Sequence, residues 1–171
     1  MTNTRTEYLY TTYIRTTPQR VWDAITNPEF ARQYWGHGNI SDWQPGSKWE
    51  HKTSEGSVLM TGKVLESNPP NRLVLSWVRP DEAADQSEYS RVTFEIDQFE
   101  DMVRLNVTHD QLKAGSEMVR GISNGWPRVL SSMKTYLETG TPLNTWAGEV
   151  RTCHDHAAKS EATAAPNATA A

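Results

Sequence analysis

The chain predicts an α+β fold, a curved antiparallel sheet wrapped around a long C-terminal helix, with two short helices after the first strand. Three observations carry this. Apolar residues recur at every second position in several runs between Lys48 and Asp110, as in strands that bury one face. Trp126, Leu130, Met133 and Leu137 then step by four, three and four, the stripe of one helix face. Ahead of both, TTPQRVWDAITNPEFARQYW holds two proline-marked helix starts.

Taken in order, Glu7 to Arg15 (EYLYTTYIR) alternates aromatic and β-branched residues and predicts a strand. Thr16 or Thr17 caps a helix with Pro18 in its first turn, and Val21, Trp22 and Ile25 form its apolar face. Asn27 before Pro28 ends that helix, since a residue preceding proline resists the α region. Pro28 opens a second short helix with Phe30, Tyr34 and Trp35 as its apolar contacts. Gly36, Gly38, Pro45 and Gly46 mark turns. KWEHKTSEG and SVLMTGKVLESNP follow as strands, with Gly62 suggesting a bulge or bend in the second. Pro69-Pro70-Asn71 turns into RLVLSWVR, with Leu73, Leu75 and Trp77 on one face and Val74 and Val78 on the other. PDEAADQSE reads as an exposed loop. SRVTFEID and VRLNVTHD are strands joined by a hairpin at residues 99–101. After His109 the period lengthens, and Met118, Val119 and Ile122 form a short stripe. Pro127 suits a helix that starts near Gly125 or Trp126; Gly140 and Pro142 stop it.

The 171 residues suffice for one domain, expected over 1–147, with an Ala- and Thr-rich tail, 148–171, expected to be disordered. A net charge of −4 disfavours nucleic acid as a partner. The single cysteine, Cys153, allows no internal disulfide. No apolar run resembles a signal peptide or a membrane span, so a soluble cytoplasmic protein is expected. Seven tryptophans and six tyrosines against three phenylalanines favour walls that are dry on one side and hydrogen-bonded on the other. Such walls serve a pocket, an interface or a core alike.

Arg20–Trp35 (RVWDAITNPEFARQYW), the DWQPGSKWE and GKVLESNPPNRLVLSW segments between Asp42 and Trp77, and Gly125–Gly140 (GWPRVLSSMKTYLETG) occur in that order. Together they resemble the START-like (SRPBCC) superfamily, and within it the branch of heat-shock-protein ATPase activator homologues. The resemblance spans roughly residues 6–141 and implies the helix-grip fold, with a cavity between the sheet and the long helix. It also implies a range of activities. Superfamily members bind lipids, sterols, polyketides and aromatic compounds, a few are cyclases or hydrolases, and the eukaryotic namesake stimulates a chaperone ATPase. No invariant catalytic constellation comes with it.

A pocket for a small organic molecule occupies at least about 300 Å³. Left as a dry void, that volume would cost about 7 kcal/mol, so polar partners or adaptable side chains are expected around it. The candidate wall consists of Tyr34, Trp35, His51, Met60, Trp77, His109, Trp126, Leu130, Met133 and Leu137. Each has a plainer alternative. Trp126, Leu130, Met133 and Leu137 serve a solid core equally well. His51 and His109 suit structural or solvent positions, and His37, between two glycines, suits solvent or a pocket mouth. The expected ligand is a small hydrophobic or aromatic molecule. The alternatives are a cyclase or hydrolase acting on such a ligand, or a protein-interaction, co-chaperone-like module. A homodimer is an option, and no cofactor or metal is expected. As acid–base candidates, Glu50, Glu66, Glu95, Asp97 and His109 show no pairing by spacing. CHDH, Cys153 to His156, lacks the separated ligand pairs of a closed zinc site.

Overall fold

The computed structural model describes residues 4–143. The expected tail and its boundary at 147/148, and the Cys153–His156 segment, lie outside the described residues. Strand β1 (Arg5–Ile14) is followed by helices α1 (Pro18–Thr26) and α2 (Pro28–Trp35). Six strands come next: β2 (Gly38–Ile40), β3 (Lys48–Lys52), β4 (Val58–Asn68), β5 (Arg72–Trp77), β6 (Ser90–Phe99) and β7 (Met102–Lys113). Helix α3 (Glu117–Thr139) closes the domain. The strands form one antiparallel sheet in the order β1-β7-β6-β5-β4-β3-β2. α3 packs on β1 and β7 and against α1 and α2, so the sheet grips the helix. This is the expected helix-grip architecture.

Local chemistry sets the helix ends. Thr17 caps α1, its hydroxyl accepting from the Arg20 N–H. Asn27 ends α1 and caps α2: its side-chain oxygen accepts from the backbone N–H groups of Glu29 and Phe30. Gly36 closes α2 in the left-handed conformation, φ 81°.

The structure differs from the sequence reading in three places. β2, within the segment read as turns, is three residues long, too short to carry a period. β7 runs on to Lys113 because Gln111 adopts φ 57° and forms a bulge against β1. The extra residue resets the alternation, and Leu112 is buried beyond it. α3 begins at Glu117, not near Gly125, capped by the Ser116 hydroxyl, which accepts from the Val119 N–H. Pro127 therefore sits inside the helix, without an N–H to give the Ser123 carbonyl. The helix persists because Ile122, Trp126, Val129, Leu130, Met133 and Leu137 are buried along one continuous face, with Met118 and Val119 packed against the same core. Burial over six turns outweighs one missing bond.

The bend suggested at Gly62 has a specific cause. A Cβ there would lie 1.9 Å from the Ser76 carbonyl oxygen. That carbonyl instead accepts the Trp49 indole N–H at 2.9 Å, and the Ser76 hydroxyl takes the Lys63 N–H at 2.8 Å. The β4–β5 ladder is interrupted between the Thr61–Val78 and Val64–Leu75 pairs, which puts Trp49 against Trp77 on the concave side.

Candidate functional site

A pocket of about 300 Å³ opens between the β3–β5 end of the sheet and the first half of α3. Trp35 comes from the last turn of α2, His37 from the residue before β2, and His51 from β3. Leu59 and Met60 come from β4 and Trp77 from β5, while α3 supplies Gly121, Ile122, Gly125, Trp126 and Val129. The rings form a continuous wall: Trp35 meets His51 at 4.5 Å between centroids and Trp126 at 5.7 Å, and Trp77 meets Trp126 at 5.8 Å. Leu59, 40% exposed, and the exposed Gly121 border the mouth. Among the described residues, no carboxylate, lysine or arginine lines the pocket.

The buried histidines are oriented by their partners. Asn39 is buried and donates its amide N–H to the Ile25 carbonyl at 2.8 Å, which turns its oxygen toward His51 Nδ1 at 2.7 Å. Nδ1 therefore carries the proton, and Nε2 is left with the lone pair. Burial, with a smaller contribution from His37, pushes the His51 pKa down to about 3, so the ring is neutral at physiological pH. His109, from β7, sits behind the wall. The Trp126 indole N–H donates to its Nδ1 at 3.2 Å, which places the His109 proton on Nε2, 2.8 Å from the Ser90 hydroxyl. Ser90 in turn donates to the Trp77 carbonyl. This chain ties two pocket tryptophans to β6 and β7. Burial pushes the His109 pKa down to about 4.

The expected wall splits in two. Trp35, His51, Met60, Trp77 and Trp126 stand around the pocket. Tyr34, His109, Leu130, Met133 and Leu137 do not line it. The Tyr34 hydroxyl donates to the Ala24 carbonyl at 2.9 Å, pinning α2 to α1, and burial raises its pKa. Leu130, Met133 and Leu137 lie on the second half of α3, buried in the core and outside the pocket lining. A bulky residue at Leu130 would overpack that core rather than plug the pocket. Sequence reasoning missed Leu59, Gly121, Ile122, Gly125 and Val129 as wall residues. The Met118–Val119–Ile122 stripe was the available signal, concealed by Pro127.

The carboxylates weighed for acid–base work are engaged elsewhere. Glu50 pairs with Lys48 and Lys52, Glu66 and Glu95 with Arg72, and Asp97 with Arg104. Among the described residues no cluster of His, Cys, Asp and Glu has metal-binding geometry. Among them, too, no helix is long and apolar enough to cross a membrane.

A curved antiparallel sheet gripping a long helix, with a pocket at their junction, defines a START-like helix-grip protein. Residues 15–138 match the family described as "Activator of Hsp90 ATPase homolog 1-like protein", and the chain belongs to that family. A comparison with curated proteins gives no match. Solved structures share the fold at low identity. CalU16 from Micromonospora echinospora is 19% identical with a TM-score of 0.63, over 78% of this chain and 77% of that one. The Aha1 dimer from Colwellia psychrerythraea is 17% identical with a TM-score of 0.67, over 79% and 98%. An HSP90 activator from Plasmodium falciparum is 22% identical with a TM-score of 0.63, over 77% and 95%.

Proposed function

We propose that the protein binds a small hydrophobic or aromatic molecule in the pocket between the sheet and the first half of α3. The observation that carries this reading is the pocket itself, about 300 Å³ with tryptophan walls and, among the described residues, no carboxylate, lysine or arginine. Water in such a space finds few partners, and an apolar ligand that displaces it gains about 25 cal/mol per Å² buried, before binding costs. The reading includes a cytoplasmic location and the option of a homodimer, a state recorded for the Colwellia psychrerythraea neighbour.

Gly125 provides the test. It lines the pocket, and a Cβ added there meets nothing within 4 Å. Gly125→Leu should fill the pocket without disturbing the core. Titration with naphthalene, followed by tryptophan fluorescence, should show saturable binding to the wild type. The variant should bind at least about tenfold more weakly while melting no lower. Equal binding by a folded variant sinks the proposed site. Native mass spectrometry of protein from its host would then identify the ligand.

A co-chaperone role, as the family description suggests for relatives, would use the outer surface instead. Leu9, Tyr13 and Phe99 are exposed there, with Tyr13 and Phe99 in an edge-to-face pair at 5.4 Å. Gly125→Leu would leave that activity intact, which separates the two readings.

A further inference from the structure

Two imidazoles and a thioether meet at one end of the pocket. His51 on β3 and Met60 on β4 are directly opposed across the antiparallel pair, and both line the pocket. Side chains opposed in this way leave the same face of a sheet with their Cβ atoms about 5 Å apart. His37, just before β2, brings its ring to 5.2 Å from the His51 ring, centroid to centroid, at 82°. Each histidine meets the pocket through one nitrogen. Asn39, oriented by the Ile25 carbonyl, accepts the His51 Nδ1 proton at 2.7 Å and leaves the Nε2 lone pair free. Metal-binding histidines are commonly held this way, with one ring nitrogen anchored to an oxygen and the other turned to the ion. His37 Nδ1 is enclosed without a partner, so that ring reaches the pocket through Nε2. Burial lowers the pKa of both rings, so neither is cationic at neutral pH.

We propose that His37 Nε2, His51 Nε2 and Met60 Sδ bind a soft monovalent cation, copper(I). This goes beyond the organic-ligand reading and does not rest on it. A thioether takes soft ions and leaves magnesium and calcium, which need oxygen ligands, unserved. It supplies the third ligand that the His, Cys, Asp and Glu of the described residues do not. The ligand set is neutral, and among the described residues no carboxylate lines the pocket. A divalent ion there would carry two uncompensated charges into an apolar space, and a monovalent ion carries one. The Trp35 ring, 4.5 Å from that of His51, places π-electron density beside the site, which also favours a cation.

Silver(I), the redox-stable counterpart of copper(I), is the probe. The full chain carries Cys153→Ser, because a thiol would also take silver, and its methionine methyls are labelled with carbon-13 for NMR in chloride-free buffer. One equivalent of silver should shift the Met60 methyl saturably and leave those of Met1, Met102, Met118 and Met133 in place. Zinc(II) should not shift it. His37→Ala and His51→Gln should each weaken silver binding at least about tenfold, no less than the loss of an outer-shell partner costs a metal site. Should His51→Gln fail to fold, His37→Ala, at a half-buried residue, carries the test. Met60→Leu keeps the side-chain volume, so naphthalene should still bind while silver no longer perturbs the His51 ring resonances. A Met60 methyl unmoved by silver overturns the inference, and so does a silver shift undiminished in His37→Ala. A zinc shift of equal size overturns the choice of a soft ion. Silver binding without naphthalene binding sinks the organic-ligand reading alone.

Discussion

From Gly121 to Val129, α3 faces a pocket; from Leu130 to Leu137 it faces a packed core. The second stretch has no glycine, and Leu130 and Met133 are each 1% exposed. The first stretch holds two glycines within five residues, both bordering open space. One helix thus serves two purposes along its length. Its distal half lies in the core outside the pocket lining, and its proximal half gives up side-chain volume beside the pocket. Stability and pocket volume are therefore separable by substitution, and each region predicts a different response.

The largest effect belongs to the core half. Leu130→Ala should destabilise the protein by about 3 to 5 kcal/mol in urea unfolding, from lost transfer energy and the cavity left behind. Its affinity for naphthalene, measured on the remaining folded protein, should stay unchanged. A loss of binding equal to that of Gly125→Leu would mean the two halves form one unit and would break the comparison.

Acid should act through the pocket half. His51 and His109 are held neutral by burial, with pKa values near 3 and 4 against an ordinary 6.5. The unfolded chain takes up protons first, so stability is full above about pH 6.5 and falls as pH drops, toward 4 for His109 and toward 3 for His51. For His109 alone the loss by pH 4 is about 3 kcal/mol. Protonation there also puts a hydrogen on Nδ1, against the Trp126 N–H that it now accepts. Urea unfolding at a series of pH values checks this. His109→Gln should flatten the acid slope, whereas Leu130→Ala should lower the whole curve and keep its slope. An unaltered slope in His109→Gln contradicts the assignment.

Much of this division could be read from the chain, and its limits have physical causes. Thr17-Pro18, Asn27-Pro28 and Gly140 act on backbone within a few residues, so their helix ends appear where the sequence places them. The alternation of Val92, Phe94 and Ile96 likewise survives into a buried strand face. The α3 start was not legible, because Pro127 and two glycines carry local penalties that only tertiary burial of Ile122 and Trp126 repays. The Gln111 bulge is a register event between β1 and β7, and no local pattern announces it. For the site, residue type identified Trp35, His51, Met60, Trp77 and Trp126. It could not tell Leu130 from Ile122, since both lie on the same stripe and only tertiary packing decides which one borders the pocket.

The smallest effect sharpens the comparison most, because it reverses sign. Gly121 and Gly125 have no left-handed backbone and no close neighbour, so neither steric rule requires glycine there. Alanine at either position should raise stability by about 0.5 to 1 kcal/mol, since glycine in a helix interior loses more backbone entropy on folding. Each added methyl enters the pocket, so naphthalene affinity should fall while the melting temperature rises. Thermal unfolding and a titration on the same samples suffice. If Gly125→Ala gains stability and loses no affinity, the glycine does not hold pocket volume open. A gain in stability coupled to a loss in binding shows that the first half of α3 keeps its glycines for the space beside them.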